Sequence, residues 1–140
     1  MALEQTYPKK LGNFLKHEYA PEIGYCRDVG VLGAGVTVPG VGDSFLGTIV
    51  YRAVANTGEW VDMPDSVDDG SQVGIIVERN DEVTPGEEVV TIVRGPSEIR
   101  IGGCRWEGSL TAEDVGAVLK SQGIEVATRY SVPEQVTPAS

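Results

Sequence analysis

One histidine (His17), two cysteines (Cys26 and Cys104) and nine aromatic residues are the scarce goods of this 140-residue chain. A structural zinc site wants four converging His or Cys ligands, so no metal is expected. The cysteines lie far from any CxxC spacing. Two free thiols, buried or half-buried, are the favoured reading, with a single disulfide as the alternative. Basic residues are few as well: 11 against 21 acids, for a net charge of −10. Nucleic-acid binding gains its affinity by setting Lys and Arg against phosphates, which makes a nucleic-acid partner unexpected. No apolar run approaches the roughly 20 residues of a membrane span, and no membrane partner is expected. The first residues, MALEQTYPKK, place acid and polar groups where a signal peptide needs a basic region and an apolar stretch. A cytosolic product is the expectation.

Catalytic constellations are missing too. A nucleophile needs a base in reach. His17 and Cys26 are the only such pair, in a segment with no rigid framework to hold them. No P-loop, GxSxG or HExxH occurs. Gly33-Ala34-Gly35 lacks the third glycine of a dinucleotide loop, because Val38 stands there. An EF-hand aligned on Gly70 places Asp65 and Asp69 correctly but puts Val67 and Ile76 where oxygen ligands must be. The remaining acids fall in turns and at a helix start, where solvation and capping account for them. The dUTPases, trimeric β-rich enzymes of similar length, carry Ala-Gly-x-Asp-Leu and Gly-Arg-Ser-Ser motifs. Here Ala34-Gly35 runs into Val36-Thr37, no Gly-Arg-Ser exists, and no glycine follows Gly123. The expectation is a protein that is not an enzyme, with no catalytic residues, no cofactor and no metal.

Turn formers, by contrast, are plentiful: 18 Gly and 8 Pro. They punctuate short strand-like runs at residues 45–54, 73–78, 88–94, 98–101 and 124–130. Asp69-Gly70 and Pro85-Gly86 are turn dipeptides whose glycine accepts positive φ. Residues 59–70 (EWVDMPDSVDDG) read as a solvated acidic loop. One helix is well marked: Thr111 caps it, Glu113 and Asp114 sit in its first turn, Val115, Val118 and Leu119 form its stripe, and Gly123 stops it. The fold class is therefore mainly β (α+β), a small β-barrel or β-sandwich body with one short helix near residues 112–122 and an extended N-terminal arm.

The arm is set apart by charge and by aromatics. In residues 1–30, Lys9, Lys10, Lys16 and Arg27 balance Glu4, Glu18, Glu22 and Asp28, so the whole negative charge belongs to residues 31–140. Tyr7, Phe14, Tyr19 and Tyr25 make the start the most aromatic part of the chain, and Leu11, Phe14 and Leu15 are spaced for one short helical face. Such a segment packs on its own domain or on a partner; the residues alone leave both open. The division expected is an arm at 1–28, a β-rich domain at 29–130 and a loose polar tail at 131–140.

The order of these features resembles a family. Leu11-Gly-Asn-Phe-Leu-Lys-His-Glu-Tyr19, continuing to Gly24-Tyr-Cys-Arg-Asp28, is similar to the start of the lambda-type head decoration proteins of tailed phages, the capsid cements. Leu46-Gly-Thr-Ile-Val50, Val73-Gly-Ile-Ile76, Thr91-Ile-Val-Arg-Gly95 and residues 119–126 follow in the family's order, so the resemblance spans about residues 11–127. It implies a structural virion protein on the outer surface of the expanded capsid, partnered by the major capsid protein and by itself as a homotrimer. Leu11, Phe14, Leu15, Tyr19 and Tyr25 are the expected capsid contacts. A β-rich module that recognises a host surface through the acidic loop is the alternative from another class.

Overall fold

Strands that are buried on both faces read as unbroken apolar runs rather than as alternating ones, and this explains the centre of the molecule. The computed structural model describes residues 11, 14–40, 44–78 and 83–127. Among them are eight strands and one α-helix. Strands β3 (Ile49–Arg52) and β5 (Gln72–Ile76) are buried at every position. They lie inside a five-stranded antiparallel sheet that also holds β2 (Arg27–Val31), β4 (Val61–Asp62) and β6 (Glu88–Ile92), in the order β2-β6-β5-β3-β4.

The two faces of this sheet feed two cores. Ile49, Tyr51, Val73, Ile75 and Ile92 turn to the first, where Phe14, Ile99, Val115, Leu119 and Ile124 meet them. Val50, Ile76, Val89 and Val93 turn to the second, around Trp60 and Leu32. The second core exists because the sheet curls. Trp60 N–H donates to Val31 O and Gly33 N–H to Trp60 O, both at 2.8 Å, so the two edge strands meet at a single bridge between Leu32 and Trp60. Arg52 enters the second core beside the indole. Its guanidinium lies 4.0 Å from the Trp60 ring centroid, and its nitrogens bond Gln72 Oε1 at 2.6 and 2.8 Å and Asp28 Oδ2 at 2.5 Å. A guanidinium that is 3% exposed is accommodated here because three partners replace water.

The second sheet has three strands in the order β1-β7-β8: β1 (Leu15–Glu18), β7 (Ser97–Arg100) and β8 (Ile124–Ala127). Helix α1 (Ala112–Ser121) precedes β8 and packs on it through its Val115 and Leu119 stripe. The Thr111 hydroxyl accepts from Asp114 N–H at 3.1 Å while the Asp114 carboxylate accepts from Thr111 N–H at 3.3 Å, which makes a reciprocal capping box. Thr111→Ala is expected to cost about 1 kcal/mol in a denaturant melt, with no change in the folded spectrum. After the helix, Gly123 takes φ 88°, the left-handed stop. Gln122 then acts as a piece of strand: its Oε1 accepts from Val73 N–H, and its Nε2 donates to the carbonyls of Val73 and Val93. One side-chain amide so satisfies three backbone groups where β6 has left the sheet.

Two expectations change. The stretch foreseen as an extended arm is, from Phe14 onward, part of the body. Phe14 is fully buried in the first core, β1 pairs β7, and β2 pairs β6. The spacing of Leu11, Phe14 and Leu15 does not continue into a helix, because Leu15 already starts β1 with its partner Ile99 across the sheet. Residues 1–10 and 12–13, and the tail at 128–140, lie outside the described residues. The acidic stretch 59–70 is not wholly a solvated loop either: Trp60 and Met63 are buried and Val61–Asp62 forms β4. Acidic residues dominated its composition and concealed the two large apolar side chains that anchor it.

Candidate functional site

β6 and β7 run almost continuously from one sheet into the other, and β2 and β1 run back along them. Where the two sheets part, residues 19–26 must bridge the gap, and they do so as a projecting turn. Tyr19 N–H is bonded to Pro96 O at 2.9 Å on one side, and Val93 N–H to Cys26 O at 2.9 Å on the other. Between them Ala20 takes a left-handed φ of 48°, Pro21–Ile23 makes one 3-10 turn, and Gly24 closes it at φ 66°. Proline suits that first position because its φ is preset and its missing N–H is not needed.

This turn carries exposed apolar side chains. Ile23 is 74% exposed, Tyr19 52% and Tyr25 48%. The two tyrosine rings meet edge to face, with centroids 5.5 Å apart and planes at 87°. Aromatic pairs of this geometry are favourable beyond their area, so each ring limits the other's movement. At the base of the turn, Glu18 and Arg27 form a two-pronged ion pair, 2.7 and 2.8 Å, with the Glu18 side chain only 4% exposed. The hydrogen bonds that Arg27 donates to Glu18 hold its guanidinium above its ordinary pKa. Beneath, the Cys26 thiol faces Pro96 O at 3.3 Å and Tyr19 O at 3.7 Å. Burial pushes that thiol above its ordinary pKa, which suits a packing role and disfavours a thiolate nucleophile. Among the described residues neither Cys104 nor Cys26 forms a disulfide.

The five expected contact residues thus divide. Phe14 is buried in the first core, and Leu11 and Leu15 pack against it, so these three face their own domain. Tyr19 and Tyr25 face outward, side by side. Ile23, the most exposed large apolar residue of the turn, was not among the expected contacts. Its signal was present in the sequence, an isoleucine set between turn-forming Pro21 and Gly24, where a turn has no core to bury it. The chain matches no family model, no curated protein and no solved structure.

Beside the turn lies a shallow groove of about 480 Å³, lined among others by His17, Arg94, Pro96, Glu98 and Glu125. His17, Glu98 and Glu125 stand in one cross-strand row of the three-stranded sheet. Among the described residues no three His, Cys, Asp or Glu side chains are arranged to hold a metal ion. No described helix is long and apolar enough to cross a membrane. In the acidic stretch, the Asp65 carboxylate accepts from Ser109 N–H and Oγ, and the Asp62 carboxylate accepts from Thr37 N–H and its hydroxyl. Both acids act as loop fasteners.

Proposed function

We propose that this chain is a structural virion protein that binds the outer surface of an expanded phage capsid as an oligomer, a homotrimer on the resemblance, and braces it against genome pressure. The observation that carries the reading is the Tyr19–Ile23–Tyr25 turn. It presents rigid apolar and aromatic groups to solvent on a body whose other large apolar residues mostly fill two cores. Interface hot spots draw on this chemistry, since tyrosine offers large contact area at low entropic cost. The stretches on which the resemblance chiefly rests, residues 11–19 and 24–28, frame this turn. An oligomer closing a ring through heterologous contacts would present one such turn per copy. Attachment of the first makes the others effectively intramolecular. An acidic body facing solvent would keep decorated particles apart.

The test is occupancy on expanded shells assembled from the major capsid protein of the genome that encodes this chain. A Tyr19→Ala, Ile23→Asp, Tyr25→Ala variant should keep the thermal transition, because exposed positions change stability by only about 0.5 kcal/mol each. Its affinity for shells should fall at least about thirtyfold, the loss of one hot spot of roughly 2 kcal/mol. Normal decoration by the triple variant, or failure of the unaltered protein to decorate at all, overturns the reading.

A further inference from the structure

We propose that Arg94 is a positioning residue for the projecting turn, holding it in its binding shape before any partner arrives. The inference rests on the turn being the shell contact. Arg94 follows β6 in the sequence, at the corner where the chain passes from one sheet to the other. Its Nη1 donates to Tyr25 O at 2.8 Å and to Arg27 O at 3.3 Å, two carbonyls on alternate residues at the returning end of the turn. The carbonyl between them, Cys26 O, accepts from Val93 N–H. Three successive carbonyls of the turn's exit are thereby tied to two consecutive residues of one rigid corner. Among the described residues Arg94 makes no ion pair, so its guanidinium is committed to orienting backbone. On the entry side, Tyr19 N–H is held by Pro96 O of the same corner. Entry and exit are thus fixed against one short segment, residues 93–96, and the Glu18–Arg27 pair spans the gap between them.

The consequence is preorganisation. Tyr25 carries one of the two carbonyls that Arg94 holds, so the position of its ring against Tyr19 follows from the clamp. Immobilising rotamer-rich side chains on binding costs affinity, and a turn already held avoids much of that cost. Arg94 is half-buried, and the carbonyls it serves lie near solvent, where water can replace it. Its loss should therefore loosen the turn without unfolding the body.

The experiment compares the full chain with Arg94→Ala and Arg94→Lys. In the free protein, amide hydrogen exchange over residues 19–27 should accelerate at least about tenfold in Arg94→Ala, while exchange in the central strands β3 and β5 stays unchanged. Binding to expanded shells should weaken roughly tenfold. Arg94→Lys, which retains one reach to a carbonyl, should fall between the two. Unchanged exchange over residues 19–27 overturns the proposal, and so does a loosened turn with undiminished shell affinity. The triple variant of the turn separates the two ideas: if it decorates shells normally, the shell reading fails, while the exchange measurement still judges the clamp.

Discussion

Deletion of residues 1–20 is expected to abolish cooperative folding. Residues read from sequence alone as a detachable arm suggest the opposite, a folded body that has lost only its attachment. Phe14 decides between them. Its ring is fully buried among Leu46, Ile99, Leu119 and other members of the first core, and truncating a buried Phe costs about 3–5 kcal/mol. The deletion also removes β1, whose backbone pairs β7, and with it Glu18, leaving Arg27 without its two-pronged partner. Arg100 N–H loses its 2.6 Å bond to Phe14 O. A small domain holds only about 5–15 kcal/mol in total, so these losses together consume most or all of it. Circular dichroism melts of the deleted chain should show no sharp transition. A truncation of residues 1–10, which spares Leu11, Phe14 and β1, is the control that leaves this packing in place. A cooperative transition in the longer deletion, within a few degrees of the full chain, would place Phe14 outside the core.

Trp60→Ala should be nearly as damaging, for a different reason. Trp60 forms the single bridge to Leu32 between the edges of the five-stranded sheet and is fully buried in the second core. Removing a buried Trp costs about 3–5 kcal/mol through lost transfer energy and the cavity left behind. Arg52 loses the aromatic face it lies against, yet remains buried with only its Gln72 and Asp28 contacts. Two glycines show how tightly the indole is held: a Cβ on Gly74 would come within 2.8 Å of its ring, and one on Gly30 within 3.0 Å of its Nε1. Trp60→Phe is the informative companion. Nε1 makes no hydrogen bond among the described residues, so phenylalanine forfeits volume but no polar contact, and its cost should be well under half that of alanine. Denaturant melts of the two variants measure the difference. Equal losses would mean that Nε1 has a partner after all.

The capping box and the glycine stop of α1 were legible because capping is local chemistry, settled within four residues by Thr111, Asp114 and Gly123. Because β1, β2 and β4 fall in or across stretches read as arm or acidic loop, only β3 and β5 to β8 were legible from apolar runs bounded by Gly and Pro, together with the mainly β class. The layout of the cores was not, since β3 and β5 are apolar on both sides and show no alternation from which a face can be assigned. Nor was the place of Trp60, whose acidic neighbours masked it.

The projecting turn divides along the same line. Tyr19 and Tyr25 mark the segment as aromatic in the sequence itself, because side-chain type acts residue by residue, but by sequence alone it reads as part of an arm rather than a turn. That the turn stands out from the body, and that Phe14 next to it does not, depends on partners 69 or more residues away: Arg94, Pro96 and Ile99. Composition and spacing by themselves determined five of the eight strands, the helix ends and the negative body. Which of the N-terminal apolar residues are buried, which are exposed, and which arginine holds them so were decided only in the tertiary structure, where pairing across the sheets brings distant backbone groups within hydrogen-bond reach.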